Sequence, residues 1–189
     1  ANPSAGNLAR LKEELFDQVD IDPANIYCPD GSMPKDAILD FCRQYEETIQ
    51  SVGGIDCMLL GIGNSSNIMF NVGGTTISSR MVLLEGASRK EAARTFPSQE
   101  NVPAGIITMG ISTMMNARSV ILMAWGEDKA SIVAKTVEGK VSDAVPSSYL
   151  QNHPNAKVVI DLSAAYDLTR ISHPWLVTSC EWDNKLIRR

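Results

Sequence analysis

The stretch Leu59–Gly74, LLGIGNSSNIMFNVGG, constrains this chain more than any other. A short apolar run, Ile55–Leu60, leads into Gly61-Ile62-Gly63, the pattern of a buried strand ending in a glycine turn. Without a Cβ, glycine lets backbone come close to a ligand. Asn64, Ser65, Ser66 and Asn67 follow, small and polar. A strand ending in such a loop delivers it to the carboxyl edge of a sheet, where open α/β sheets bind ligands. Spacing alone favours an ordinary β-to-α turn, since short glycine motifs recur by chance.

The rest of the chain supports an α/β reading. Leu8, Leu11, Leu15, Phe16 and Val19 predict an amphipathic helix over 6–18, and Ile38, Cys42, Tyr45 and Ile49 a second one after Pro34, closed by Gly53-Gly54. Met81–Leu84, Gly105–Met109, Ser119–Trp125, Ala156–Leu162 and Trp175–Thr178 read as further strands. Helices are expected from Ser88 to about Phe96, over Thr113–Ala117, from Asp128 to about Val137, near Val145–Leu150 after Pro146, and over Glu181–Arg189. Alternating strands and helices predict a three-layer α/β/α domain with a largely parallel, Rossmann-like sheet covered on both faces. No linker or repeat interrupts 1–189, which reads as a single domain. The 189 residues suffice for one core, and a charge of −5 with no Lys/Arg run argues against nucleic acid. No apolar run reaches the ~20 residues of a membrane helix. Cys28, Cys42, Cys57 and Cys180 fit neither a zinc site nor a Cys-x-x-Cys pair, so reduced thiols and a cytoplasmic protein are expected, with Cys57 and Met58 in the core.

The Leu59–Gly74 stretch resembles the signature G-[IV]-G-x-D-G-H-I-[AG]-F-N-E-P-G of the glucosamine-6-phosphate deaminase (isomerase) family. Gly61, Gly63, Ile68, Phe70, Asn71 and Gly74 match it. The resemblance extends from Leu8 to about Trp182 through Phe16–Ile21, Arg43–Glu46, Val102-Pro103, Ile107–Gly110, Glu138–Ser142 and Leu150–Pro154. The tail, Pro174–Val177 and Cys180–Trp182, is similar to a subgroup in which a deaminase-like domain precedes a deacetylase-like one. Family members begin with a strand and a phosphate-wrapping loop, then a second strand ending in an Asp-Glu-Tyr motif. Neither motif occurs here, so the chain resembles the C-terminal two thirds of the family domain, truncated at the N-terminal side. That leaves one border of Ile55–Leu60 without a partner and leads one to expect a homo-oligomer.

By this resemblance the partner is a phosphorylated amino sugar, and no metal or organic cofactor is implied. Arg94 and Lys129 match the family's phosphate ligands, whereas by position alone both read as solvated helix residues. Gly61 and Gly63 would line the substrate site. The departures lie where the family does its acid–base chemistry: Ser65 replaces Asp, Asn67 replaces His and Val72 replaces Glu. None of the three titrates near neutral pH, as proton transfer requires. At Val82 and Leu84 the basic residues of the family's allosteric site are replaced as well. The expectation is therefore a deaminase/isomerase-like protein of amino-sugar metabolism with impaired catalysis. Its rivals are a non-catalytic sugar-phosphate-binding or regulatory protein and another enzyme of the superfamily, such as a sugar lactonase. His153, before Pro154, is expected to serve the fold rather than chemistry.

Overall fold

The computed structural model describes residues 7–31, 33–63, 67–71, 78–84, 86, 89–90, 93, 96 and 98–177. They fall into two compact units, one drawn from 1–56, 69–71 and 75–118, the other from 57–68, 72–74 and 119–189.

In the first unit, α1 (Asn7–Glu14) is shorter than its periodicity suggested and buries no residue, and Leu11 and Leu15 remain exposed. Helix α2 (Ile38–Ser51) begins four residues after Pro34 and buries Cys42. Its end follows from Gly53 and Gly54, whose positive φ values of 93° and 86° suit residues without a Cβ. Gly54 N–H donates to the Ile49 carbonyl at 2.8 Å and Gly53 N–H to that of Gln50 at 3.0 Å, which satisfies two of the helix's last carbonyls. Strands β2 (Arg80–Leu83) and β3 (Gly105–Thr108) pair with each other antiparallel, Met81 opposite Ile107. This departs from membership of the parallel sheet. The reason lies in their faces: Met81 and Leu83 stay partly in solvent, a half-solvated state that antiparallel pairs tolerate and parallel sheets do not. Helix α3 (Ile111–Met115) follows and buries Ile111, Thr113 and Met114.

The second unit holds the parallel sheet. Strands β1 (Met58–Gly61), β4 (Val120–Ala124) and β5 (Ala156–Ile160) lie in the order β1-β4-β5, with Leu59 opposite Ile121 and Ile121 opposite Lys157. The neighbour of β1 comes some 60 residues later in the chain, so a crossover joins them, as parallel pairing demands. Side chains alternate across a strand, and one face of this sheet is buried: Met58, Leu60, Val120, Leu122 and Ala124 are each no more than 5% exposed. Helix α4 (Ala130–Val137) buries Ile132 and Val133 and packs against a 3-10 segment, Pro146–Asn152. Among the described residues the second sheet face is covered unevenly: Ile121 and Met123 of the central strand are half-buried, whereas Leu59 is 63% and Val159 44% exposed. Helix α5 (Thr169–Ser172) leads to a 3-10 turn, Pro174–Leu176, where a strand over Trp175–Thr178 was expected. Pro174 opens that turn, and Trp175 and Leu176 are exposed, so no sheet holds them. The helices expected over 88–96 and 181–189 lie largely or wholly outside the described residues.

Candidate functional site

The carboxyl ends of the parallel strands converge on one edge of the second unit. Strand β1 delivers Gly61-Ile62-Gly63, and Gly63 N–H donates to the Asn67 carbonyl at 3.0 Å, closing the loop on itself. Asn67 is 4% exposed and Ile68 fully buried. A Cβ placed on Gly61 would meet no atom within 4 Å, so packing does not demand glycine there. Strand β4 delivers Trp125 and Gly126. With φ at 91°, Gly126 takes a conformation that glycine adopts at little cost, and it opens a 3-10 turn, Glu127–Lys129, that runs into α4. Strand β5 delivers Asp161. Its carboxylate accepts N–H bonds from Gly126 at 3.1 Å and from Ala164 at 2.8 Å, locking the β4 turn to the end of β5. Asp161 was not singled out from sequence; the signal was an Asp immediately after an apolar run, the position from which a carboxylate folds back onto nearby backbone N–H groups.

Lys129 ends the 3-10 turn just ahead of α4. Its side chain is only 16% exposed, with Nζ 3.7 Å from Asp128 Oδ2. The Lys129 side chain is thus mostly shielded rather than fully solvated. Gly61, Gly63, Asn67 and Lys129 thus belong to one unit and to the loops after β1 and β4. Ser65, Val72 and Arg94 lie outside the described residues.

The continuation of the signature stretch, Met69–Asn71, belongs to the first unit. Met69 and Phe70 both take left-handed backbone, φ 50° and 56°. Such geometry costs roughly 1–2 kcal/mol per residue without glycine. Two bonds hold it: Thr108 Oγ1 donates to the Met69 carbonyl at 2.6 Å, and Asn71 Nδ2 donates to the Met109 carbonyl at 2.9 Å. The resembling segments Phe70-Asn71 and Thr108-Met109 are thus joined by hydrogen bonds, and their residue types serve backbone geometry. In the same unit, Glu46 accepts hydrogen bonds from Ser79 and, at 2.6 Å, from Thr113. Burial and the Glu46 carboxylate push the Cys42 thiol above its ordinary value.

Other expectations resolve in the same way. His153 is 7% exposed, and its Nδ1 accepts the Asn155 N–H at 3.0 Å, which fixes the turn into β5. Gln151 Nε2 donates to the carbonyls of Thr136 and Gly139, both at 2.8 Å, tying Leu150–Pro154 to Glu138–Ser142. A Cβ on Gly139 would sit 2.4 Å from the Lys135 carbonyl oxygen, so glycine is obligatory there. Met58 is buried as expected, but Cys57 is exposed, because the strand begins one residue later and leaves Cys57 outside the paired register. Two shallow cavities of about 260 and 230 Å³ lie in the first unit, beside Tyr27 and Tyr45 and beside Lys35 and Arg80; Gly61, Gly63, Asn67 and Lys129 line neither. Among the described residues no group of three or more His, Cys, Asp or Glu is placed to hold a metal ion, and no helix is long and apolar enough to cross a membrane.

A parallel sheet with glycine and lysine loops at its carboxyl edge is the α/β arrangement in which ligand sites commonly lie at that edge. No protein-family model matches the chain. It is 55% identical over 184 residues to a glucosamine-6-phosphate deaminase-like protein of Bacteroides thetaiotaomicron, covering 96% of this chain and 28% of that protein. It is 41% identical over 165 residues to the glucosamine-6-phosphate deaminase of Shouchella clausii, covering 86% of this chain and 66% of that enzyme. A solved monomeric glucosamine-6-phosphate deaminase of the NagB superfamily superposes with a TM-score of 0.78 at 34% identity, over 84% of this chain and 66% of that one. The chain belongs to the glucosamine-6-phosphate deaminase family. It spans just under two thirds of the Shouchella enzyme and little more than a quarter of the Bacteroides protein. The 6-phosphogluconolactonase of Trypanosoma brucei, at 19% identity and a TM-score of 0.63, shares the fold.

Proposed function

We propose that this chain is a deaminase/isomerase-like part of amino-sugar metabolism that binds a phosphorylated amino sugar and is impaired in turning it over. The reaction in question opens the ring of glucosamine 6-phosphate, isomerises it and hydrolyses off ammonia to leave fructose 6-phosphate. The observation that carries the proposal is the split within the signature stretch. Gly61, Gly63, Phe70 and Asn71 are retained, while Ser65, Asn67 and Val72 stand where the acid–base groups belong. A carboxamide held at 4% exposure cannot take up and release a proton at neutral pH. Binding asks for less. Gly61 leaves open space beside backbone, and Lys129 supplies a cation ahead of a helix start, where backbone N–H groups also favour an anion. Arg94 would add a guanidinium fork suited to phosphate oxygens. We place such a protein in the cytoplasm with its thiols reduced, working without metal or organic cofactor. A purely regulatory sugar-phosphate binder is the second reading, favoured by the same replacements.

Two measurements test this. Purified protein should release no ammonia from glucosamine 6-phosphate above background; steady release, lost on substituting residues of the 61–67 loop, would overturn the impairment. Calorimetry should show weak, salt-sensitive binding of glucosamine 6-phosphate. Lys129→Ala and Arg94→Ala should each cost about 1.5–3 kcal/mol, the worth of a hydrogen bond to a charged group, and leave glucosamine unaffected. Equal affinity for the sugar with and without phosphate would remove both residues from the site.

A further inference from the structure

We infer, resting on the proposed reading of Lys129 as a phosphate ligand, that Asp161 is a positioning residue: acting through Gly126, it holds Lys129 where a sugar phosphate meets it. Gly126 follows β4 and takes φ 91° and ψ 157°, a conformation that glycine adopts at little cost. Its carbonyl accepts the Lys129 N–H at 3.1 Å, so whatever orients Gly126 orients the turn Glu127–Lys129. The Gly126 N–H in turn donates to Asp161, at 3.1 Å to Oδ1 and 3.3 Å to Oδ2. The same Oδ1 accepts the Ala164 N–H at 2.8 Å, and the Asp161 carbonyl accepts the Ala165 N–H at 3.1 Å. Ala164 and Ala165 are 0% and 7% exposed. The carboxylate is therefore anchored to backbone in the core on one side and carries the β4 turn on the other.

Glycine makes such an anchor necessary, because it has the widest choice of backbone conformations and loses the most freedom when fixed. A larger residue does not stiffen this turn without cost: a Cβ on Gly126 would come 3.0 Å from Asp128 Oδ1. An acceptor on the Gly126 N–H fixes that peptide plane and with it the start of the turn. Strand order brings the anchor in from the side of β5, whereas Gly61–Gly63 follow β1 on the other side of β4. Asp161 thus braces the lysine turn without entering from the glycine side. Charge and position act in opposite directions here. A carboxylate close to a phosphate repels it, so loss of Asp161 tightens binding if charge alone matters and weakens it if position does.

The first readout is calorimetry of glucosamine 6-phosphate binding to the full chain. Asp161→Ala should weaken it about 10-fold, close to the worth of one hydrogen bond to a charged group. With Lys129→Ala already present, the same change should alter affinity by less than about 2-fold, because Asp161 acts through that lysine. Asp161→Asn keeps an Oδ1 that can accept from both N–H groups and should recover most of the affinity. The second readout needs no sugar. Acetylation of Lys129, followed by peptide mass mapping with the exposed Lys157 as internal standard, should rise toward the Lys157 rate in Asp161→Ala and stay slow in Asp161→Asn. Three results would each overturn the proposal: tighter binding by Asp161→Ala, an equal loss with and without Lys129, or an unchanged Lys129 acetylation rate in Asp161→Ala. If the unaltered chain binds no glucosamine 6-phosphate, the sugar-phosphate reading fails, and the acetylation rates still decide whether Asp161 holds Lys129.

Discussion

Apolar residues lie on both faces of the parallel sheet, with Lys157 among them on one, and their surroundings differ. On one, Leu60, Val120 and Leu122 are 5%, 0% and 0% exposed; on the other, Leu59 and Val159 are 63% and 44% exposed. Residue type therefore does not decide burial here. Sequence reads both faces as apolar, and only the elements packed against them separate core from surface. The difference predicts very unequal costs for the same truncation. Leu122→Ala should destabilise by about 2–5 kcal/mol, because it empties a fully packed site. Leu59→Ala should change stability by about 0.5 kcal/mol or less, as an exposed substitution does. Urea unfolding of both variants measures the gap. Two equal losses would mean that the second face is covered in solution.

That contrast also shows what could be read from the sequence. Apolar runs located β1, β4 and β5 to within a few residues, because the chemical signal for a buried strand is strong and local. The end of α2 was legible in Gly53-Gly54 for the same reason. Pairing direction was not: β2 and β3 carry apolar residues as the parallel strands do, and their antiparallel register is set by what they meet. Trp175–Thr178 misled because an aromatic and β-branched run looks like a strand until Pro174 starts a 3-10 turn. As candidates, the glycines and Asn67 could be found from the motif and Lys129 from the matching Gly126–Ala130 segment. The clamp from Asp161 to Gly126 could not, since it joins residues 35 apart through a backbone donor.

A second comparison lies within the signature stretch, between Gly61, where space is left open, and Met69–Asn71, where two hydrogen bonds hold the backbone. Asn71 is fully buried and bonds the Met109 carbonyl at 2.9 Å. Asn71→Ala strands that half-buried acceptor and should cost about 1 kcal/mol or somewhat more. Gly61→Ala, with nothing within 4 Å of the new Cβ, should be close to neutral for stability. Its effect should instead be on sugar-phosphate affinity, which separates a residue kept for a ligand from one kept for the fold. Thermal melts of the two variants, with and without glucosamine 6-phosphate, make the test. A large loss of stability from Gly61→Ala alone would return that glycine to a structural role.

The smallest effect concerns two thiols, and it sets a buried group against an exposed one. Cys42 is 2% exposed on the inner side of α2, and burial, followed by the Glu46 carboxylate, raises its pKa above the ordinary 9.0. Cys57 lies just ahead of β1 in solvent. Reagents attack the thiolate, so access and ionisation act in the same direction. Iodoacetamide at pH 8 should modify Cys57 rapidly and Cys42 only through opening of the first unit, as peptide mass mapping over time would reveal. The pH dependence has a definite sign. The folded state holds the Cys42 proton more tightly than the unfolded chain does, so this group's contribution to stability is complete below about pH 9. Above that value the unfolded thiol ionises first, and the contribution is lost as the pH rises through the folded value. Cys42→Ala should flatten the alkaline fall in stability above about pH 9, after allowance for the cavity it leaves. An unaltered slope in the Cys42 variant, or equal labelling rates for the two cysteines, would show that α2 does not keep its inner face closed.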